Sequence, residues 1–337
     1  MIGTALTNEA KVAAAFPIVC VDVGNNRLKF GLYEWEDLCR LGPCASEWSI
    51  PDDPEALRTL DDWLARQPAV GSWWIATVNR PASTELVDWL RSHRPGDRLV
   101  YLTASDLPLV VNLPRPDMVG IDRLVDALAA KCLRQGTVPA LIVDVGSAIT
   151  VDYLAPEGTF EGGAILPGLT LAARALYDYT DMLPLLDPSS WGTIPPPLGK
   201  NTVAAMEAGL FWGAVGAVRE LVNQVLPADV SEAEVFFTGG GSRLLMQAFA
   251  SPGSRKPQDA NCPSGPPGPR EEQPNSSQMG VASSLPDFSV WEEVLREGPR
   301  RINLRYIPHL TLLGIALGAA HVLATEIAKG IDVCQSP

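Results

Sequence analysis

The sequence predicts an α/β fold built from two related lobes, and three observations carry that reading. A run of apolar, β-prone residues that ends in Asp-x-Gly and small polar residues occurs twice, with its aspartates at Asp22 and Asp144, 122 residues apart. A third such run ends in Thr238-Gly239-Gly240-Gly241-Ser242 and leads into a helical pattern. Between these segments, short β-rich runs alternate with stretches of helical periodicity, as when strands are connected through helices. At 337 residues the chain has room for two domains, each able to bury a core.

Residues 1–16 lack the basic start and long apolar run of a secretory signal and are expected to form a flexible extension. The first copy reads Ile18-Val19-Cys20-Val21-Asp22-Val23-Gly24-Asn25-Asn26-Arg27-Leu28-Lys29-Phe30, a hairpin with glycine in its turn and a carboxylate ending its first strand. Helical patterns at 54–66 and 83–92 alternate with strand patterns at 73–78 and 99–102, and a helix over 122–134 follows Gly120. The second copy, 141–154, repeats the hairpin, and Gly162-Gly163 through Gly168 reads as a glycine-dense strand and turn. A long helix rich in small residues spans 202–225, capped by Asn201 or Thr202, and the glycine loop at 239–241 opens a helix over 244–250. Residues 251–286 hold too much Pro, Gly and Ser to pack and are expected to be a disordered surface insertion. The apolar stretch 309–328 carries Gly314-x-x-x-Gly318, but His309, Thr311, His321, Thr325 and Glu326 are costly in lipid, so a buried core helix is expected. The lobes are expected at 17–135 and 136–337.

Acidic side chains outnumber basic ones 39 to 26, a net charge of −13, and a surface of that sign repels a phosphate backbone, so nucleic acid is not expected as a partner. With 46% apolar and 19% charged residues, the composition is that of a globular chain. Six cysteines without C-x-x-C spacing point to neither a zinc site nor a disulfide framework, and three histidines leave no His-rich metal centre. A cytoplasmic protein with no membrane association is expected. Trp73, Trp74 and Trp212 read as core residues.

A carboxylate at a strand end, followed by glycine and small polar residues, suits a nucleotide phosphate with its metal. Glycine lets backbone N–H groups approach phosphate oxygens, while the carboxylate acts on Mg²⁺ or its waters. Arg27 and Lys29 share one face of the second strand, so at least one can reach the phosphates. A single copy would read as an ordinary Asx-type turn; its recurrence, with the later glycine loop, favours phosphate binding. No G-x-x-x-x-G-K-[ST] occurs, so a Walker-type loop is excluded. Asp122 and Arg123, at a helix start, fit either an anion-binding carboxylate–guanidinium pair or a cap with a solvated arginine.

Taken in order, Asp22–Asn26, Gly120–Arg123, 144–150, 162–168, 199–202, 238–240 and 310–314 resemble the motifs D-x-G-N-[TS], G-x-D-R, D-x-G-T-A-T-T, G-G-x-I-x-P-G, G-K-N-T, T-G-G and L-T-L-x-G of the type III pantothenate kinases. That family lies in the sugar-kinase/actin superfamily, and the resemblance spans about residues 17–328 outside the Pro/Gly-rich insertion. It implies two duplicated actin-like (ribonuclease H-like) lobes with mixed sheets flanked by helices. It also implies phosphorylation of pantothenate by ATP with Mg²⁺, the first step of coenzyme A synthesis, in a homodimer. On the resemblance, Asp22, Val23, Gly24, Asn25, Asn26, Arg27, Leu28 and Lys29 line the ATP phosphates, and Ser147 also contacts ATP. Asp144 binds a monovalent cation, K⁺ or NH₄⁺. Gly120, Ile121, Asp122 and Arg123 hold pantothenate, with Asp122 as general base, and Thr202 completes the pocket across a dimer. Asn26, Ser147 and Ile149 depart from the family's hydroxyl residues, and Leu113 stands where an aromatic is common. Two other readings are a catalytically weak accessory protein of transcription and a kinase for another small hydroxy acid.

Overall fold

The computed structural model describes residues 9–53, 55–251, 291–297, 300–331 and 333. Its strands form two sheets. The first runs in the order β3-β2-β1-β4-β5, from β1 (Ile18–Val23), β2 (Arg27–Tyr33), β3 (Ser46–Pro51), β4 (Ser72–Thr77) and β5 (Arg98–Tyr101). The second comprises β6 (Val110–Val111), β7 (Ala140–Val145), β8 (Ala148–Leu154), β9 (Thr159–Pro167), β10 (Glu232–Thr238), β11 (Trp291–Glu297) and β12 (Arg300–Tyr306), in the order β11-β12-β10-β7-β8-β9-β6.

The two sheets repeat one plan. β1, β2 and β3 form an antiparallel meander, with β4 and β5 added in parallel beside β1. β7, β8 and β9 form the matching meander, with β10 and β12 added in parallel beside β7. Parallel neighbours require helical crossovers, and these supply the layers. The helices are α1 (Trp35–Cys39), α2 (Thr59–Leu64), α3 (Arg80–His93), α4 (Ile121–Leu133), α5 (Leu169–Asp178), α6 (Thr202–Val225), α7 (Ser242–Ala250) and α8 (Leu310–Ala328).

Burial shows why each sheet is apolar on both faces. On β1, Val19, Val21 and Val23 pack outward with Leu60, Trp63, Leu86 and Leu90 of α2 and α3, while Ile18 and Cys20 face inward. On β7, Leu141, Val143 and Val145 pack outward with Phe211, Val215 and Leu245 of α6 and α7, while Ala140 and Ile142 face inward. The inward faces meet α4 and α8 in one central core. The molecule is therefore a five-layer stack with two helices between two sheets.

α8 explains the Gly-x-x-x-Gly signal. A Cβ at Gly314 would sit 2.0 Å from the Val125 carbonyl oxygen on α4, so only glycine permits this backbone approach. α8 is long and apolar enough to cross a membrane, yet it is mostly buried between the sheets. Trp73 and Trp74 are fully buried, as expected of core residues.

Several expectations need adjusting. Part of the expected extension is anchored: Val12 is buried in the central core, and Phe16 meets Trp35 edge-on at 5.3 Å, while residues 9–11 and 14 are exposed. Residues 1–8, and all but Ser251 of the insertion expected at 251–286, lie outside the described residues. The lobe boundary at residue 135 is crossed in both directions. β6 pairs with β9 of the second sheet, and α8 returns to pack on β1 and β4 of the first.

Candidate active site

The two hairpins end side by side. Asp22, the fifth residue of β1, stands directly across from Lys29 on β2, and Lys29 Nζ donates to Asp22 Oδ2 at 2.9 Å. Asp22 holds the Lys29 ammonium firmly protonated, and Asp144 and Asp126 add to that pull against the cost of burial. Arg27 lies on the same strand at the rim, its guanidinium donating to the Ser49 hydroxyl and carbonyl. Of the two cations, Lys29 thus faces the acidic groups.

The turns between the strands touch. Asn26 Nδ2 donates to Ser147 Oγ at 2.7 Å, joining the tip of the β1–β2 hairpin to that of β7–β8. Each turn closes on itself through a glycine N–H, Gly24 to Arg27 at 3.1 Å and Gly146 to Ala148 at 2.9 Å. Val23 and Leu28 are buried beneath the first turn, while Gly24, Asn25 and Asn26 reach its surface.

Asp144 occupies on β7 the position that Asp22 holds on β1. Its carboxyl is pushed up to about 6, chiefly by burial, with Lys29 opposing and Asp22, Asp122 and Asp152 adding to the rise. Gly239, at φ 89°, keeps the space over it open: a Cβ there would lie 2.2 Å from Asp144 Oδ1 and 2.7 Å from the Val145 carbonyl. This glycine-lined carboxylate fits a monovalent cation, since one anionic oxygen and neighbouring carbonyls are what such an ion needs. Among the described residues no three His, Cys, Asp or Glu side chains gather as a metal ligand set.

Asp122 enters from the first turn of α4. Gly120, not Asp122, is the cap residue, and Asp122 Oδ1 instead accepts from the Arg123 backbone N–H at 2.8 Å. A Cβ at Gly120 would come within 2.4 Å of that oxygen. Ile121 is half-buried beside it. Burial raises the Asp122 carboxyl above its ordinary range, and Asp22 and Asp152 add to the effect against the Arg123 N–H and guanidinium. Asp22, Lys29, Asp122 and Asp144 thus converge from four elements, β1, β2, α4 and β7, on one cleft.

Two further buried carboxylates, outside the sequence motifs, belong to the same cleft. Asp126, one turn beyond Asp122 on α4, is 2% exposed, and its Oδ1 has no hydrogen-bond partner. Burial and then Asp144 push its carboxyl well up, against a hydrogen bond from Thr311. Asp152, in the middle of β8, accepts from Arg123 Nε at 3.0 and 3.1 Å and from Arg123 Nη2. Period-two alternation from Asp144 and Thr150 could have pointed to Asp152; helical spacing from Asp122 could have pointed to Asp126.

Thr202 lies elsewhere, exposed at the first turn of α6, where Asn201 caps the helix by accepting from Ala204 N–H at 2.9 Å. It lines a groove of about 920 Å³ with Pro167, Leu171, Tyr179 and Met206, between α5 and α6. The groove approaches the cleft through Gly168, whose N–H donates to the Ser147 carbonyl at 3.1 Å.

With this geometry in place, comparison with known proteins is direct. The family model for type III pantothenate kinase matches residues 18–224. A type III pantothenate kinase of Dehalococcoides mccartyi is 31% identical over 242 residues, covering 70% of this chain and 89% of that protein. One from Paramagnetospirillum magneticum is 32% identical over 243 residues, covering 68% and 88%. Among solved structures, Porphyromonas gingivalis acetate kinase aligns at 10% identity over 91% of this chain and 99% of its own, with a TM-score of 0.47. The match of the family model across both hairpins and the head of α4, with relatives at this identity along most of their length, places the chain in the type III pantothenate kinase family.

Proposed function

We propose that this enzyme transfers the γ-phosphate of ATP to the primary hydroxyl of pantothenate, giving 4'-phosphopantothenate. The observation that carries this reading is the convergence of Asp122 with Asp22, Lys29 and Asp144 at the facing ends of two equivalent hairpins. Phosphoryl transfer asks little covalent chemistry of the protein; it asks for positioning and charge neutralisation. The backbone N–H groups of the turn at Asn25 and Asn26, the Lys29 ammonium and the Ser147 hydroxyl supply donors for the phosphates, which arrive with Mg²⁺. Asp22 is suited to the waters of that ion, because a lone carboxylate would repel phosphate oxygens directly. Asp122 accepts the proton of the attacking hydroxyl. Its raised carboxyl suits that role, since a base of higher pKa takes the proton more readily. Gly120, Ile121 and Arg123 frame the acid beside it.

Asp144 would hold K⁺ or NH₄⁺, whose charge offsets the crowding of carboxylates around it. Thr202 would serve the site of a second copy, and the apolar groove between α5 and α6 fits a homodimer contact. The test is pantothenate-dependent ATP consumption by the purified protein with Mg²⁺, with and without K⁺. K⁺-stimulated formation of phosphopantothenate is the expected result. Absence of turnover at millimolar ATP would overturn the reading, and faster turnover of another hydroxy acid would reassign the substrate.

A further inference from the structure

The strand and turn from Gly162 to Gly168 is a sequence motif that the proposed chemistry leaves without a task, and its position suggests one. Gly163 on β9 stands directly across from Asp152 on β8. A Cβ at Gly163 would lie 2.4 Å from Asp152 Oδ1. The missing side chain leaves room both for the Val151 carbonyl oxygen, 2.2 Å from that position, and for the Asp152 carboxylate. Asp152 is 1% exposed and spends both oxygens on Arg123, taking the Nε–Nη2 edge of the guanidinium in a fork. The Phe160 ring lies 5.7 Å from the same guanidinium carbon. Thr150 also hydrogen-bonds Asp152, which further fixes the carboxylate.

A forked arginine is a different recognition element from a free one. Its orientation is set, its charge is half-neutralised, and the Nη1 side remains for one further anion. Arg123 sits next to the proposed base Asp122, and its side chain is 15% exposed. We propose that Asp152, given room by Gly163, is a positioning residue that aims Arg123 at the carboxylate of the acid substrate and so sets the preference for an acid over its uncharged analogue. The inference rests on the hydroxy-acid kinase reading above.

The experiment compares pantothenate with the corresponding alcohol, in which CH₂OH replaces the carboxylate, in the wild-type protein and in Asp152→Asn, Arg123→Gln and the double variant. In Asp152→Asn, kcat/KM for the acid is expected to fall about 10- to 100-fold, the size of one charge-assisted contact, mainly through KM. The value for the alcohol should change less than about threefold, with KM for ATP unmoved. Arg123→Gln should lose at least as much on the acid as Asp152→Asn, and the double variant should be no worse than Arg123→Gln alone. Equal losses for acid and alcohol, or additive losses in the double variant, would overturn the proposal. If Asp152→Asn does not fold, Thr150→Val should show a smaller shift in the same direction; an unchanged acid-to-alcohol ratio there would also overturn it. Failure of the wild type on both substrates would count against the kinase reading alone. Calorimetric binding of acid and alcohol to the same variants would then decide on Asp152: discrimination that Asp152→Asn abolishes supports it, and discrimination absent or unchanged rejects it.

Discussion

Asp122 is one residue whose environment makes a kinetic prediction. Burial, helped by Asp22 and Asp152, raises its carboxyl. A general base must be ionised to act, so the acid limb of kcat/KM should fall above the ordinary carboxylate value of about 4. Asp122→Asn should cost about 10²–10⁴-fold in kcat and remove that limb. An unchanged rate would take the base role away from Asp122. Asp144 makes a stability prediction. With its folded pKa pushed up to about 6, the native state binds a proton that the unfolded chain releases near 4. Its contribution is full below about pH 4 and is lost as pH rises through about 6. In cation-free buffer that loss is roughly 2–3 kcal/mol by pH 7. Asp144→Asn should therefore gain on wild type as pH rises from 4.5 to 7.5 in urea unfolding, and parallel curves would reject the argument. K⁺ should narrow the gap at neutral pH.

At the scale of elements, α4 and α8 hold the site from behind. A methyl group at Gly314 would meet the backbone carbonyl of Val125, which cannot move without carrying Asp122 and Asp126 with it. At Gly318 the first obstacle is Leu107 Cδ2 at 2.8 Å, the end of a side chain that can rotate. Gly314→Ala should thus cost about 3 kcal/mol or more and Gly318→Ala about 1 kcal/mol, read by denaturant midpoints; equal costs would show that the helix contact is not the constraint. The same contrast explains which parts of the molecule are legible in the sequence. Asp22, Asp122 and Asp144 each sit beside a glycine where strand or helix begins or ends, so a local pattern marks them. α6 matches its expected span because its small-residue periodicity is continuous and Asn201 caps it. Asp126 and Asp152 lie inside a helix and a strand, where an aspartate signals nothing until the partner elements are placed. β3 escapes because Ser46-Glu47-Trp48-Ser49 alternates too weakly on an edge strand, and β12 because Arg300, Arg301 and Arg305 mask its buried Ile302 and Leu304. Arg123 looks free for an anion along the chain; only the packing of α4 against β8 shows it already forked by Asp152.

At the scale of the whole molecule, the proposed homodimer would use the α5–α6 face. Tyr179 is 89% and Met182 83% exposed, and Leu171 is exposed in the same groove. Thr202 lies in that face, away from Asp122. If two copies meet there with twofold symmetry, each site takes Asp122 from one chain and Thr202 from the other. Leu171→Glu should then yield a monomer in sedimentation equilibrium and lose turnover together. A mixing experiment separates shared sites from mere dimerisation. Asp122→Asn and Thr202→Glu should each be inactive as pure proteins. After subunit exchange, a heterodimer holds one site with both residues intact, so an equal mixture should recover about a quarter of wild-type activity. Recovery of nothing, with exchange verified by a mass-tagged subunit, would place Thr202 in the service of its own chain and leave the α5–α6 face as a contact without a catalytic share.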